Sequence, residues 1–273
     1  MADNKITFGV NLSVDNYWNV SEFARRAEDL GYGRVTMGEH IMDGNPPRPT
    51  LLNLPAMAAA AGATTNLRVM TGIVVAPLYH PVTLAKMVAT VDQVSGGRLD
   101  FGIGISGQRG TKIEFDAVGV DVHTRGKRTD EMLQVMKRLW TEEHVSHHGE
   151  FFDFDDVTLL PFPAQKPYPP IWVSGRSDAA MRRAGVMGDG WYPYLFTVRR
   201  IKASNEMVRQ FAAEAGRDPK SITISVYGQL PEHVVVHSLL NAGADRVVVR
   251  PEHVETEKEM GEQLERMAEA VLR

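Results

Sequence analysis

The chain has 273 residues, 43% of them hydrophobic and 23% charged, with a net charge of −4 at neutral pH. That acidic balance argues against a nucleic-acid binder, which carries a basic excess on one face, and the absence of cysteine excludes disulfides, thiolate metal sites and cysteine nucleophiles. The opening "MADNKITFGVNLS" has no basic cluster leading an apolar run, and "LNLPAMAAAAGA" is too short to span a bilayer, so a soluble cytoplasmic protein is expected.

In chain order, the pattern predicts an apolar strand over 6–12 and an amphipathic helix over 20–31. Phe23, Ala24, Ala27 and Leu30 share one side of that helix and Gly31 ends it. A strand over 34–40 and a helix over 54–64 follow, then a strand over 67–75 with a helix over 81–97 that opens on Pro81. The fourth pair is a strand over 98–106 and a helix over 124–140; between them "QRGTKIEFDAVGVDVH" shows no helical period. The strand "PIWVSG" precedes the helix "SDAAMRRAGVMG", and a short strand over 190–194 precedes a helix starting at Val198. Last come a strand over 222–228 with the helix "EHVVVHSLLNAG", and a strand over 246–252 with a charged helix.

Eight strand–helix units in a chain of this length predict a single α/β domain over 1–273, a closed (β/α)8 TIM barrel. One segment breaks the alternation. Residues 144–170 read as a hairpin turning at Gly149 with a proline-rich tail, inserted between the fourth helix and fifth strand and expected at the barrel mouth. His144, His147 and His148 fall in its predicted turn, as solvated residues.

Active groups of such barrels sit at the C-terminal strand ends. Here those ends carry Asn11, Glu39–His40, Gly72–Val75, Ser106–Gly107, Ser174–Ser177, Tyr192–Tyr194 and Gly228–Gln229. At Ser174-Gly175-Arg176-Ser177 a strand stops on hydroxyls, a glycine and a cation directly before a helix, a combination suited to a phosphate. The plain alternative is that Ser177 is an N-cap and Arg176 is solvated. Gly102-x-Gly104-x-x-Gly107 spells a dinucleotide fingerprint, but no helix opens directly after it; Gly102 and Gly104 are better read as places where packing or a ligand needs a bare backbone. His40 ends a strand where its imidazole could exchange a proton with a ligand. His233 and His237 share a helix face, yet lack a third metal ligand.

Three stretches together resemble the bacterial-luciferase-like superfamily, including its single-chain F420- and FMN-dependent branches: "TGIVVAPLYHPVTLAKMVATVDQVSGGRLDFGIGIS", "FDAVGVDVHTRGKRTDEMLQVMKRLWTEEHVSHHGEFFDFDDV" and "PPIWVSGRSDAAMRRAGVMGDGWYP". The resemblance implies a reduced flavin or deazaflavin across the barrel mouth, its phosphate held by Ser174, Gly175, Arg176 and Ser177. It implies a non-proline cis peptide at Gly72–Ile73 supporting the ring, with Ile105 and Ser106 beside it, and His40 near the reactive centre. The activity implied is F420-dependent hydride transfer on a small organic substrate, or an FMNH2-dependent monooxygenase fed by a separate reductase; a flavin-binding barrel without turnover is the third reading.

Two departures stand out. "HIMDGNPP" has no tryptophan after the histidine, where some F420 dehydrogenases carry one, and no glutamate directly follows the fourth strand, where the sugar-phosphate dehydrogenases have theirs. Arg34, Lys112, Arg176 and Arg199 are candidate contacts for a polyglutamate tail, and Tyr79, Phe115, Tyr192, Tyr194 and Phe196 for an aromatic-lined pocket. A homodimer is the expected assembly, as is common among relatives.

Overall fold

The computed structural model describes residues 7–11, 19–42, 49–107, 110–252, 254 and 256–272. The strands are β1 (Thr7–Asn11), β2 (Arg34–Met37), β3 (Arg68–Thr71), β4 (Val74–Val75), β5 (Leu99–Gly104), β6 (Val145–His148), β7 (Asp153–Val157), β8 (Ile171–Ser174), β9 (Gly190–Tyr192), β10 (Thr223–Gln229) and β11 (Arg246–Val249). The helices are α1 (Val20–Asp29), α2 (Asn53–Gly62), α3 (Pro81–Val94), α4 (Lys112–Ala117), α5 (Arg125–Leu139), α6 (Asp178–Met187), α7 (Val198–Glu214), α8 (His233–Asn241) and α9 (Glu257–Leu272).

The main sheet runs β3-β2-β1-β11-β10-β9-β8-β5-β4, every pair parallel, and β5 also pairs with β3, which closes it. Counting β3 and β4 as one interrupted stave, this is an eight-stave barrel, with α4 and the β6–β7 hairpin outside the alternation. Closure explains the strand composition: with helices outside and side chains filling the lumen, both faces are buried, and β5 has no exposed residue. Val35, Val69, Phe101, Ile103, Val173 and Trp191 belong to the large core shared with the helices. Residues of opposite parity, Met70, Trp172, Tyr192 and Val248, form a separate buried cluster that plugs the lumen.

Below this plug the staves begin on charge. Asp100 is buried and pairs with Arg68 at 2.7 Å and with Arg34 at 3.1 Å. Arg34 and Arg246 both lie against the Trp172 ring, 5.7 and 5.1 Å from its centroid. Burial opposes ionisation of Asp100, but the guanidiniums of Arg34, Arg68 and Arg246 outweigh it and hold its carboxyl below the usual range. Burial and the like charge of Arg34 push Arg246 down to about 10.

Three expectations are corrected. The stretch after β5 does contain a helix, the short α4. The strand expected over 34–40 stops at Met37, because residues 38–40 leave the sheet for the rim. The hairpin is real and antiparallel, and its contacts run along α5 and α3. Glu131 of α5 receives the amides of Glu150, Phe151 and Phe152, while the tail binds Lys86 and Gln93 of α3 through Leu160 and Phe162 carbonyls. His147 and His148 lie on β6, not in the turn; they and His144 pair with Glu131, Asp153 and Asp156 respectively.

Candidate active site

Staves β2, β3–β4, β5 and β8 are consecutive around the barrel. Their C-terminal ends carry Glu39–His40, Gly72–Ile73, Ile105–Ser106 and Ser174–Ser177, so the predicted site residues form one continuous arc of the rim. Asn11 ends β1, next along.

On β2 the two adjacent residues separate. Glu39 is buried and accepts from Asn53 N at 3.2 Å, Val75 N at 3.2 Å and Tyr79 Oη at 3.0 Å. It is a tie between β2, the start of α2 and the resumed third stave. Burial pushes its carboxyl up despite those three donors and the neighbouring His40. His40, with its side chain 15% exposed, places Nδ1 2.9 Å from Glu114 Oε1.

Between β3 and β4 the Gly72–Ile73 peptide is cis. A side chain at Gly72 would meet Thr36 Oγ1 at 1.9 Å and Tyr192 Oη at 3.1 Å, so this position admits only glycine. Ile73 turns over β5: a Cβ on Gly104 would lie 2.7 Å from Ile73 Cδ1 and 3.8 Å from Ser174 Cβ. Gly102 is equally constrained, because a Cβ added there would run into the Thr71 carbonyl oxygen. Both glycines are therefore close-approach positions, as read from the sequence; Gly107 meets nothing.

Past β5 the chain turns through Ser106, at φ 53°, and Ser106 Oγ bonds Thr111 Oγ1. Thr111 Oγ1 reaches Glu114 Oε1 at 3.4 Å, and Glu114 Oε2 receives the amides of Ile41 at 2.7 Å and Met42 at 3.2 Å. Ser106, Thr111, Glu114 and His40 thus form one hydrogen-bonded chain. Glu114 escaped the sequence reading, although "TKIE" spells the capping pattern in which a glutamate three residues past a threonine opens a helix.

At β8 the strand ends on half-buried Ser174, and Gly175 turns at φ 125° with its Cα packed so that a Cβ would be 2.5 Å from Ala180 Cβ. Only glycine is suited to that turn. Ser177 caps α6, its hydroxyl accepting from Ala180 N at 3.3 Å, so the N-cap reading holds. Arg176 is exposed beside it. Trp191 Nε1 donates to the Gly175 carbonyl at 2.9 Å and fixes the turn from below.

On the far side, aromatic rings rise from the buried plug, Tyr192 being fully buried within it. Tyr192 stacks on Tyr227 at 4.9 Å and 10°, and Tyr194 lies 4.9 Å from Tyr227 on its other side, with its hydroxyl 3.1 Å from Arg250. The wider aromatic pocket is corrected: Phe115 is fully buried, Phe196 packs edge-on against Trp191, and Tyr79 is engaged with Glu39. The proposed tail cations also separate, since Arg34 is sealed under the lumen and Lys112 pairs with Asp116. His233 and His237 stack on α8, and no metal-binding group of three or more occurs among the described residues.

The closed (β/α)8 barrel thus gathers a glycine-lined arc, a histidine–carboxylate pair and a helix-start turn on its C-terminal rim. Residues 4–231 match the family model described as luciferase-like monooxygenase, and the chain belongs to that family. It is 36% identical over 165 residues to an FMNH2-dependent dimethylsulfone monooxygenase of Pseudomonas putida, covering 59% of this chain and 44% of that protein. It is 31% identical over 181 residues to an F420-dependent glucose-6-phosphate dehydrogenase of Kineococcus radiotolerans, covering 63% and 51%. The chain thus spans about half the length of these curated relatives. A monooxygenase from Streptomyces bottropensis shares the fold with a TM-score of 0.80 at 23% identity, covering 97% of this chain and 98% of that one.

Proposed function

We propose that the chain is a flavin-dependent oxidoreductase that takes reduced FMN across the β2–β8 arc, with the phosphate end in the 174–177 turn. The observation that carries this reading is the polarity of the arc. One end offers Ser174, an exposed Arg176 and the start of α6, while the middle offers an apolar Ile73 seated over Gly104, which leaves no side chain in the way. A phosphate needs the first and a flat conjugated ring the second, so the residues present fit such a cofactor. When bound, the flavin supplies the redox chemistry.

The residues have separate tasks. Arg176 and the α6 amides bind the phosphate, and Ser177, already committed to its cap, shapes the turn. Ile73 supports the ring face. His40 exchanges a proton with the substrate or the reacting centre.

Identity of 36% to an FMNH2-dependent enzyme against 31% to an F420-dependent one supports FMN, as does the lack of a tryptophan after His40. F420 is the second reading, supported by that 31% relative; both cofactors carry the same ribityl phosphate, so the turn suits either. The substrate class is a small organic molecule, and an external reductase would supply reduced FMN.

Quenching of flavin fluorescence on titration with FMN and with F420 tests the reading. Arg176→Ala is expected to weaken binding roughly 10- to 150-fold, the value of one charged hydrogen bond. Equal affinity in this variant, or no binding of either cofactor by the parent, overturns the proposal.

A further inference from the structure

Glu114 does something its local sequence does not ask of it. In the pattern Thr111-Lys112-Ile113-Glu114 the carboxylate would ordinarily fold back on the Thr111 amide, and Thr111 would cap the helix. Thr111 makes no capping bond here, and Glu114 reaches across to the β2 rim. Its carboxylate is 1% exposed, yet it accepts from three donors, the amides of Ile41 and Met42 on Oε2 and the Thr111 hydroxyl on Oε1, and the His40 ring nitrogen also meets Oε1. Both oxygens are thus already engaged as acceptors by groups other than His40. The group is an acceptor only, so the His40 nitrogen facing it must be the donor.

We infer that Glu114 is the positioning residue for His40, holding the ring in the tautomer with its proton on Nδ1 and leaving Nε2 as the nitrogen that exchanges protons at the active site. The two ring nitrogens differ in role because of what the other one bonds. Of the two carboxylates near the ring among the described residues, Glu39 is spent on Asn53, Val75 and Tyr79, and Glu114 contacts it. The link through Thr111 to Ser106 ties this ring to the β5 end of the arc, so α4 serves as a brace between the histidine and the strand tip beside the proposed ring site. The catalytic consequence rests on the function proposed above; the tautomer does not.

Glu114→Gln separates the possibilities because it is nearly isosteric. Its amide oxygen can keep the Ile41 and Met42 amides, which places the NH2 group against His40 Nδ1. A donor facing that nitrogen inverts the tautomer. The experiment is nitrogen-15 NMR of the full chain with ring-labelled histidine, the His40 signals being those lost in His40→Gln. The wild type is expected to show a protonated Nδ1, and Glu114→Gln an unprotonated one. With reduced flavin and substrate, kcat is expected to fall roughly 100-fold with little change in KM, the size of a lost general acid or base.

An unprotonated Nδ1 in the wild type refutes the inference by itself, even if the variant does not fold. An unchanged tautomer in Glu114→Gln, or an inverted one with full kcat, also refutes it. An inverted tautomer in a protein that binds no flavin supports the positioning and overturns the function instead.

Discussion

Replacing Asp100 with Asn tests whether the barrel rests on its buried charges. The carboxylate is 2% exposed and is the acceptor shared by Arg34 and Arg68, at 3.1 and 2.7 Å. Arg34 is itself 1% exposed, and among the described residues its Nε and Nη1 have no hydrogen-bond partner, so its ion pair with Asp100 is the contact that neutralises it. Asparagine keeps the volume but removes the charge that the guanidiniums of Arg34, Arg68 and Arg246 share. Breaking a buried pair from one side costs about 3–5 kcal/mol, a large share of a total of about 5–15 kcal/mol. For a chain of this size each kcal/mol moves Tm by about 2–4 °C, giving a fall of roughly 6–20 °C. Urea unfolding followed by circular dichroism is the assay. The sign with pH is fixed as well: a carboxyl held below its ordinary range stabilises the fold while ionised. The gap between wild type and variant should be constant through neutral pH and shrink as pH falls below about 3.9. Asp100→Leu combined with Arg34→Met, which removes both charges, should recover much of the loss. A loss under about 1 kcal/mol in Asp100→Asn, set against the expected several, would show that the arginines do not depend on this carboxylate.

Two further substitutions probe the rim. Gly104→Ala puts a methyl where Ile73 Cδ1 now lies, 2.7 Å away, and Ile73 is a partly exposed side chain that can swing aside. Its expected result is weaker FMN binding by flavin fluorescence, with a Tm close to wild type. Ser177→Ala removes the hydroxyl that caps α6 and should cost about 1 kcal/mol in urea unfolding.

The barrel was legible because its signals are local and repeated. Strand runs alternate with amphipathic helices, and turn glycines such as Gly31 and Gly175 sit where the backbone takes positive φ. The rim position of the candidate residues was legible for a related reason: in a closed parallel sheet every strand end lies on the same rim, so Ser174 and His40 could be placed there without knowing a single distance. What failed was anything set by contact between distant segments. Arg34 and Arg176 are both strand-end arginines in the sequence, yet one begins its stave and is sealed by Asp100, while the other ends a stave and faces solvent. Phe115 and Phe196 were indistinguishable from pocket residues because burial, not residue type, separates them.

Glu114 shows the limit most clearly. Six residues of helix are too few for an apolar period, so α4 leaves no trace in a pattern search. The glutamate then reads as one more charge on a loop, 74 positions from the histidine it holds. Yet the capping pattern around it was visible, and an unfulfilled local rule is itself information. A threonine and a glutamate placed to cap each other, both diverted to other partners, indicate that some other part of the chain competes for the carboxylate. Here that competitor is the loop beginning at His40, whose ring and two following amides together outbid one helix-end amide.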